Sequence, residues 1–216
     1  MASKTQFNTI IDQAFIYSHL SPFVFTNTLL PLLRKTALIE GSDVRIVNLA
    51  SDAHTYVSDV QFKTKDDFNL KFHKLLFPSV KRYGFTKLLN MLWTLELSRR
   101  LSESTDEADT KIICLCVHPG AVLTEGNIEG AARLPWPFSV ILKFVLYSLA
   151  YKPAEGGYTV SIAAAATKVR AEVDKYKAAY LVPIGKLGNK SKTAQNEILA
   201  MDLWKLSESV LGEIGL

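Results

Sequence analysis

Val44-Arg45-Ile46-Val47-Asn48-Leu49-Ala50, running straight into Ser51, is the stretch whose reading decides the fold. It is β-branched and largely apolar without strict alternation, the pattern of a strand covered on both faces, as in parallel sheets. Glu40-Gly41-Ser42-Asp43 before it reads as a turn. Further upstream, apolar residues recur at helical spacing from Phe7 to Lys35, and Pro31 is predicted to kink or interrupt the last turns. Downstream, Ser51 to Arg82 is polar and irregular, a loop with room for one short helix, and loops of that length usually carry function. Tyr83 to Leu101 reads as a helix, Ser102 to Thr110 as an acidic linker, and Lys111 to Val117 as a second apolar strand stopped by His118-Pro119-Gly120. Helices are predicted over Pro137–Tyr151 and Ala154–Thr167, a third strand over Ala179–Val182, and a closing amphipathic helix over Gln195–Leu211. This is the order of an α/β protein: a parallel sheet of about three strands with helices on both faces.

The composition agrees. The chain has 216 residues, 48 % hydrophobic and 21 % charged, which fits a single globular domain and excludes disorder and coiled coil. A net charge of +4 without a basic stripe gives no footing for nucleic acid. Lys168, Arg170, Lys175 and Lys177 are interrupted by Glu172 and Asp174 and read as a solvated face. The first residues hold no apolar signal-peptide core, so a cytoplasmic location is expected. Leu134–Tyr151 is the most hydrophobic stretch, but Pro135, Pro137 and Lys143 argue against a span and for a buried or membrane-touching helix. Its Trp136, Phe138, Phe144 and Tyr147 suit either core packing or a greasy lid over a lipophilic alcohol or ketone. Cys114 and Cys116 fall on one face of their strand as small core hydrophobes; no metal site is expected of them. Two cysteines so placed fit a reducing compartment.

Chemistry enters at Tyr83-Gly84-Phe85-Thr86-Lys87. Residues i and i+4 share a helix face, so a phenol and an ammonium lie side by side. The cation favours the phenolate, which makes the phenol a usable proton donor or acceptor for a carbonyl oxygen. Ser51 would stand at the carboxyl end of a parallel strand, where open α/β sheets hold ligands, with a hydroxyl able to donate to developing oxygen charge. The next strand ends at the same rim in His118-Pro119-Gly120-Ala121-Val122-Leu123-Thr124. His118 and His54 read as structural and solvated histidines respectively.

Ile46-Val47-Asn48-Leu49-Ala50-Ser51, Tyr83-x-x-x-Lys87 and Pro119-Gly120-x-Val122-x-Thr124, in that order, resemble the short-chain dehydrogenase/reductases. His19-Leu20-x-x-Phe23, Leu29-Leu30-Pro31-Leu32-Leu33, Ser51-x-Ala53-His54 and Leu203-Trp204-x-x-Ser207-Glu208 look like the retinol-dehydrogenase-like branch. The resemblance implies a Rossmann-like, doubly wound domain over residues 1–216 that uses NADP or NAD. It implies that Tyr83 is the general acid/base and that Lys87 lowers its pKa and binds the nicotinamide ribose. Ser51 would orient the substrate carbonyl, and Val122 and Thr124 would touch the nicotinamide. The reaction implied interconverts a secondary alcohol and a ketone or aldehyde on a lipophilic small molecule, such as a retinoid, a steroid or a secondary metabolite.

Two departures accompany the resemblance. The chain's 11 glycines include no Gly-x-Gly, so the family's opening βαβ units, on the order of 80–100 residues, are expected to be missing. Ser18 stands where the family places a catalytic Asn. Without the preceding strands, Val44–Ala50 is expected to present an open sheet edge, a template for pairing with another chain or a second copy. That edge supports the alternatives of a catalytically impaired fragment or a non-enzymatic binding module.

Overall fold

The computed structural model describes residues 13–70 and 78–216; residues 7–12 of the predicted first helix lie outside them. A helical turn (Gln13–Phe15) and a π-helical turn (Ile16–Leu20) lead into helix α1 (Ser21–Ala37). Strand β1 is Arg45–Leu49, and helix α2 is Pro78–Glu103. After the short α3 (Glu107–Thr110) come β2 (Ile113–Val117), α4 (Glu125–Ala132), α5 (Phe138–Leu149) and α6 (Pro153–Ala165). The chain continues through α7 (Thr167–Ala171), α8 (Val173–Tyr176), β3 (Tyr180–Val182) and β4 (Lys186–Leu187), and ends in α9 (Glu197–Glu213). The sheet order is β1-β2-β3-β4, parallel across the first three strands and antiparallel at β4. This is a partial Rossmann-like α/β fold, with four strands among the described residues rather than about three. β4 escapes the sequence reading because two residues carry no periodicity.

β2 organises the core. All five of its residues are buried, and alternation sends them to opposite layers. Cys114 and Cys116 face α1, α2 and α9, with Phe23, Leu88, Leu92, Trp93 and Leu203; Ile113, Leu115 and Val117 face Ala163, Val169 and Tyr176 on α6, α7 and α8. The two cysteines share a face, as the alternation predicts. Burial pushes the Cys116 thiol up to about 12.

Four local readings change. Pro31 does not end its helix: α1 continues to Ala37, where the Leu38 N–H reaches the Arg34 carbonyl. The loop after β1 contains two 3₁₀ turns, Asp52–Tyr56 and Lys65–Phe68, and α2 is already in place at Pro78, so Tyr83 sits inside a helix. The acidic linker contributes a structural anion, because Asp109 is buried and receives both Arg34 Nε at 2.6 Å and Arg34 Nη2 at 3.1 Å. Arg170 leaves the solvated face to bind the Asp43 carboxylate and the Lys111 carbonyl, tying α7 to the entry of β1.

Among the described residues β1 is the edge strand expected of Val44–Ala50, and it is still covered on both faces, with Val44 and Ile46 in one layer and Val47 against the other. Val44 O accepts from Ile113 N–H, and Ala50 N–H reaches Val117 O. The backbone of residues 44, 46, 48 and 50 therefore points at β2, which leaves that of Arg45, Val47 and Leu49 on the open side. The Leu49 side chain is 51 % exposed.

Candidate active site

The last outward carbonyl of β1 gathers the site. Leu49 O accepts from Lys87 Nζ at 3.2 Å and from Asn90 Nδ2 at 3.0 Å. Both donors come from α2, one turn apart on one face. The same Lys87 ammonium lies 5.5 Å from the centre of the Tyr83 ring. Lys87 is half-buried, and burial holds its ammonium below the usual lysine range. Tyr83 is 49 % exposed and forms part of the wall of a cavity of about 450 Å³ with Ser18, Ser79, Arg82 and Thr86. Ser18, at the position of the family's Asn, therefore faces the same space as the phenol, and it sits in the π-helical turn, a distortion common at functional sites.

α2 lies against the Ser51 loop because of one small residue. A Cβ on Gly84 would come within 2.4 Å of the Ala53 carbonyl oxygen, so only glycine lets the helix approach this closely. Ser51 is buried beyond the end of β1, and its Oγ accepts from the Ala53 N–H at 3.3 Å, capping the first 3₁₀ turn. Its hydroxyl proton remains for a further acceptor.

The loop is fixed by Asp52 and Tyr180, which sequence reasoning missed, and by His118, which it read as structural. The Asp52 carboxylate accepts the Tyr180 hydroxyl at 2.6 Å and lies 3.2 Å from His118 Nε2, linking the Ser51 loop to the ends of β2 and β3. Burial, then the Asp52 hydrogen bond, pushes the Tyr180 phenol up. Burial pulls the His118 imidazole down, with Asp52 opposing. His54 is not solvated: it is fully buried, with Nδ1 2.7 Å from Ser51 O and Nε2 3.1 Å from Ser191 N. Since the Ser191 N–H can only donate, Nε2 is the acceptor and Nδ1 carries the proton. Asn90, which holds Leu49 O beside Lys87, did carry a readable signal, one further turn along the Tyr83–Lys87 face.

Val122 and Thr124 rise from the same rim, because β1 and β2 run parallel with Leu49 opposite Val117. They build a separate segment of it. Val122 bridges to Tyr151 and packs on Gly156, while Thr124 Oγ1 caps α4 by accepting from Asn127 N–H at 3.3 Å. Gly120, at φ +89°, makes the turn between them and β2. The structure thus brings Tyr83 and Lys87 together, sets Ser51 in the adjoining loop, and places Val122 and Thr124 along the same edge.

No protein-family profile matches the chain. It is 40 % identical over 201 residues to a short-chain dehydrogenase/reductase of Armillaria gallica, covering 93 % of this chain and 61 % of that protein. A second, from Aspergillus calidoustus, is 32 % identical over 198 residues, covering 90 % and 59 %. A third, from Colletotrichum higginsianum, is 30 % identical over 210 residues, covering 94 % and 50 %. The chain thus spans about half to three-fifths of the length of these curated relatives. Among solved structures, an uncharacterized protein of Mycobacterium paratuberculosis shares the fold, with a TM-score of 0.52 and 21 % identity over 89 % of this chain and 56 % of that one.

Proposed function

Because the chain belongs to the short-chain dehydrogenase/reductase family, we propose that it carries the proton-transfer centre of an NAD(P)-dependent oxidoreductase acting on a lipophilic secondary alcohol or ketone. The observation that carries this reading is the Lys87 ammonium, held on Leu49 O at 3.2 Å and 5.5 Å from the Tyr83 ring centre. In reduction, the Tyr83 hydroxyl gives its proton to the carbonyl oxygen, and the neighbouring ammonium stabilises the phenolate left behind. In oxidation the phenolate takes the alcohol proton. The Ser51 hydroxyl donates to the same oxygen as negative charge grows on it.

A nicotinamide cofactor supplies the hydride when bound. The chain's residues fit its nicotinamide-ribose end. Lys87 spends one of its three N–H bonds on Leu49 O and keeps others for ribose hydroxyls. The Thr124 hydroxyl, which accepts at the α4 cap, keeps its own proton to donate, and Val122 offers an apolar edge. No residue is assigned to the pyrophosphate, since no Gly-x-Gly occurs.

The test follows NADPH consumption with lipophilic ketones for wild type and Tyr83→Phe. Loss of the phenol is expected to lower the rate by about 10²–10⁴-fold. Equal rates would remove Tyr83 from the mechanism. The open side of β1 favours a second reading, a module that binds a partner strand and turns nothing over. A monomer that binds NADPH at micromolar concentration supports the enzyme; no binding, together with self-association by light scattering, supports the module.

A further inference from the structure

Helix α5 is built inside out. At 100° per residue its polar Ser139 and Lys143 fall on one stripe with Leu146, and these are partly buried positions turned toward the protein. Phe138, Ile141, Leu142, Phe144, Val145 and Leu149 spread over the remaining arc, interrupted by Ser148, and every one of them is exposed. None of its twelve residues is buried. Trp136, 81 % exposed, stands in the turn between α4 and α5. A helix in water turns its apolar stripe inward; the reverse arrangement calls for an apolar medium outside. The sequence alternatives of core packing and of a lid closed over the site are thus both unlike the observed exposure.

Charge indicates which medium. Between Glu129 and Glu155 the chain carries Arg133, Lys143 and Lys152 and no carboxylate. Arg133 closes α4 and Lys152 caps α6, so a cation stands at each end of the apolar stretch. The nearest anion to Arg133 is Glu129, 4.0 Å away and itself exposed. At about 18 Å, α5 is too short to cross a hydrocarbon core of about 30 Å, and among the described residues no helix is long and apolar enough to do so. A protein groove would cover one stripe, whereas here the apolar arc exceeds half the circumference.

We propose that the α4–α5 hairpin docks on an anionic lipid bilayer. α5 lies along the interface, Trp136 sits at headgroup depth, and Arg133 and Lys152 meet the lipid anions. The hairpin leaves the domain at Thr124 and returns at Tyr151, which is bridged to Val122. Docking therefore turns the carboxyl rim of the sheet toward the lipid.

Flotation of the full chain with vesicles tests this. Binding is expected to vesicles of phosphatidylcholine containing phosphatidylserine, weaker with phosphatidylcholine alone, and reduced by salt. Trp136→Ser combined with Phe144→Ser should lower the bound fraction at least about tenfold at unchanged circular dichroism. Arg133→Glu with Lys152→Glu should abolish the preference for phosphatidylserine. One readout needs no variant: brominated lipid should quench Trp136 in the wild type, since Trp93 and Trp204 are buried. Failure of the wild type to float with either vesicle, or no quenching, overturns the proposal. So does an oligomer that Phe144→Ser dissolves into monomers, because a second copy would then cover α5.

Discussion

Gly84 decides how close Tyr83 comes to the Ser51 loop. The van der Waals space between α2 and the Ala53 carbonyl is already filled, and the obstacle is backbone, which cannot swing aside like a side chain. Gly84→Ala is therefore expected to destabilise the protein by about 1–3 kcal/mol through overpacking, seen as a fall of several degrees in melting temperature. It should also lower turnover, since the helix that moves carries both Tyr83 and Lys87. Gly157→Ala on α6, where a Cβ meets nothing within 4 Å, is the control. It should be neutral or stabilising by up to about 1 kcal/mol. Equal melting temperatures for the two alanine variants would refute the close-approach argument.

At the scale of elements, the entry to α1 is pinned by His19, fully buried in the π-helical turn, whose Nε2 lies 2.9 Å from Ser207 Oγ on α9. Ser207 gives its own proton to Leu203 O at 2.8 Å, so the imidazole is the donor in this pair. Burial pulls His19 from 6.5 to about 3. The unfolded chain then binds the proton first, and stability falls as pH drops below about 6.5, continuing toward 3. Between pH 6.5 and 5 the loss from this residue is about 2 kcal/mol. Thermal melts should show it, and His19→Gln should flatten the slope; parallel slopes would clear His19 of the effect. Elements of this kind show what a sequence exposes. β2 was legible because five apolar residues in a row leave few alternatives, and the Tyr83–Lys87 pair because helical spacing fixes its face. The edge status of β1 was legible only through the family resemblance, since Val44–Ala50 by itself has the composition of a central strand and its neighbours decide its exposure. The Asp52–Tyr180–His118 clamp joins residues 128 and 66 positions apart, a juxtaposition set by strand order rather than by any local pattern. The burial of His54 depends likewise on Ser191, far along the chain.

Taken whole, the molecule is unevenly covered. Its centre is a buried sheet between two helical layers, while β1 and α5 leave apolar surface facing outward. Cys114 and Cys116, both free, lie on the innermost strand and have almost no solvent contact. A thiol reagent can reach them only when β2 parts from its neighbours, an opening that costs much of the global stability. The pair is thus a built-in clock: a maleimide dye added under native conditions should label at the rate of whole-domain opening, whereas fast labelling would mean that the centre breathes independently of the periphery.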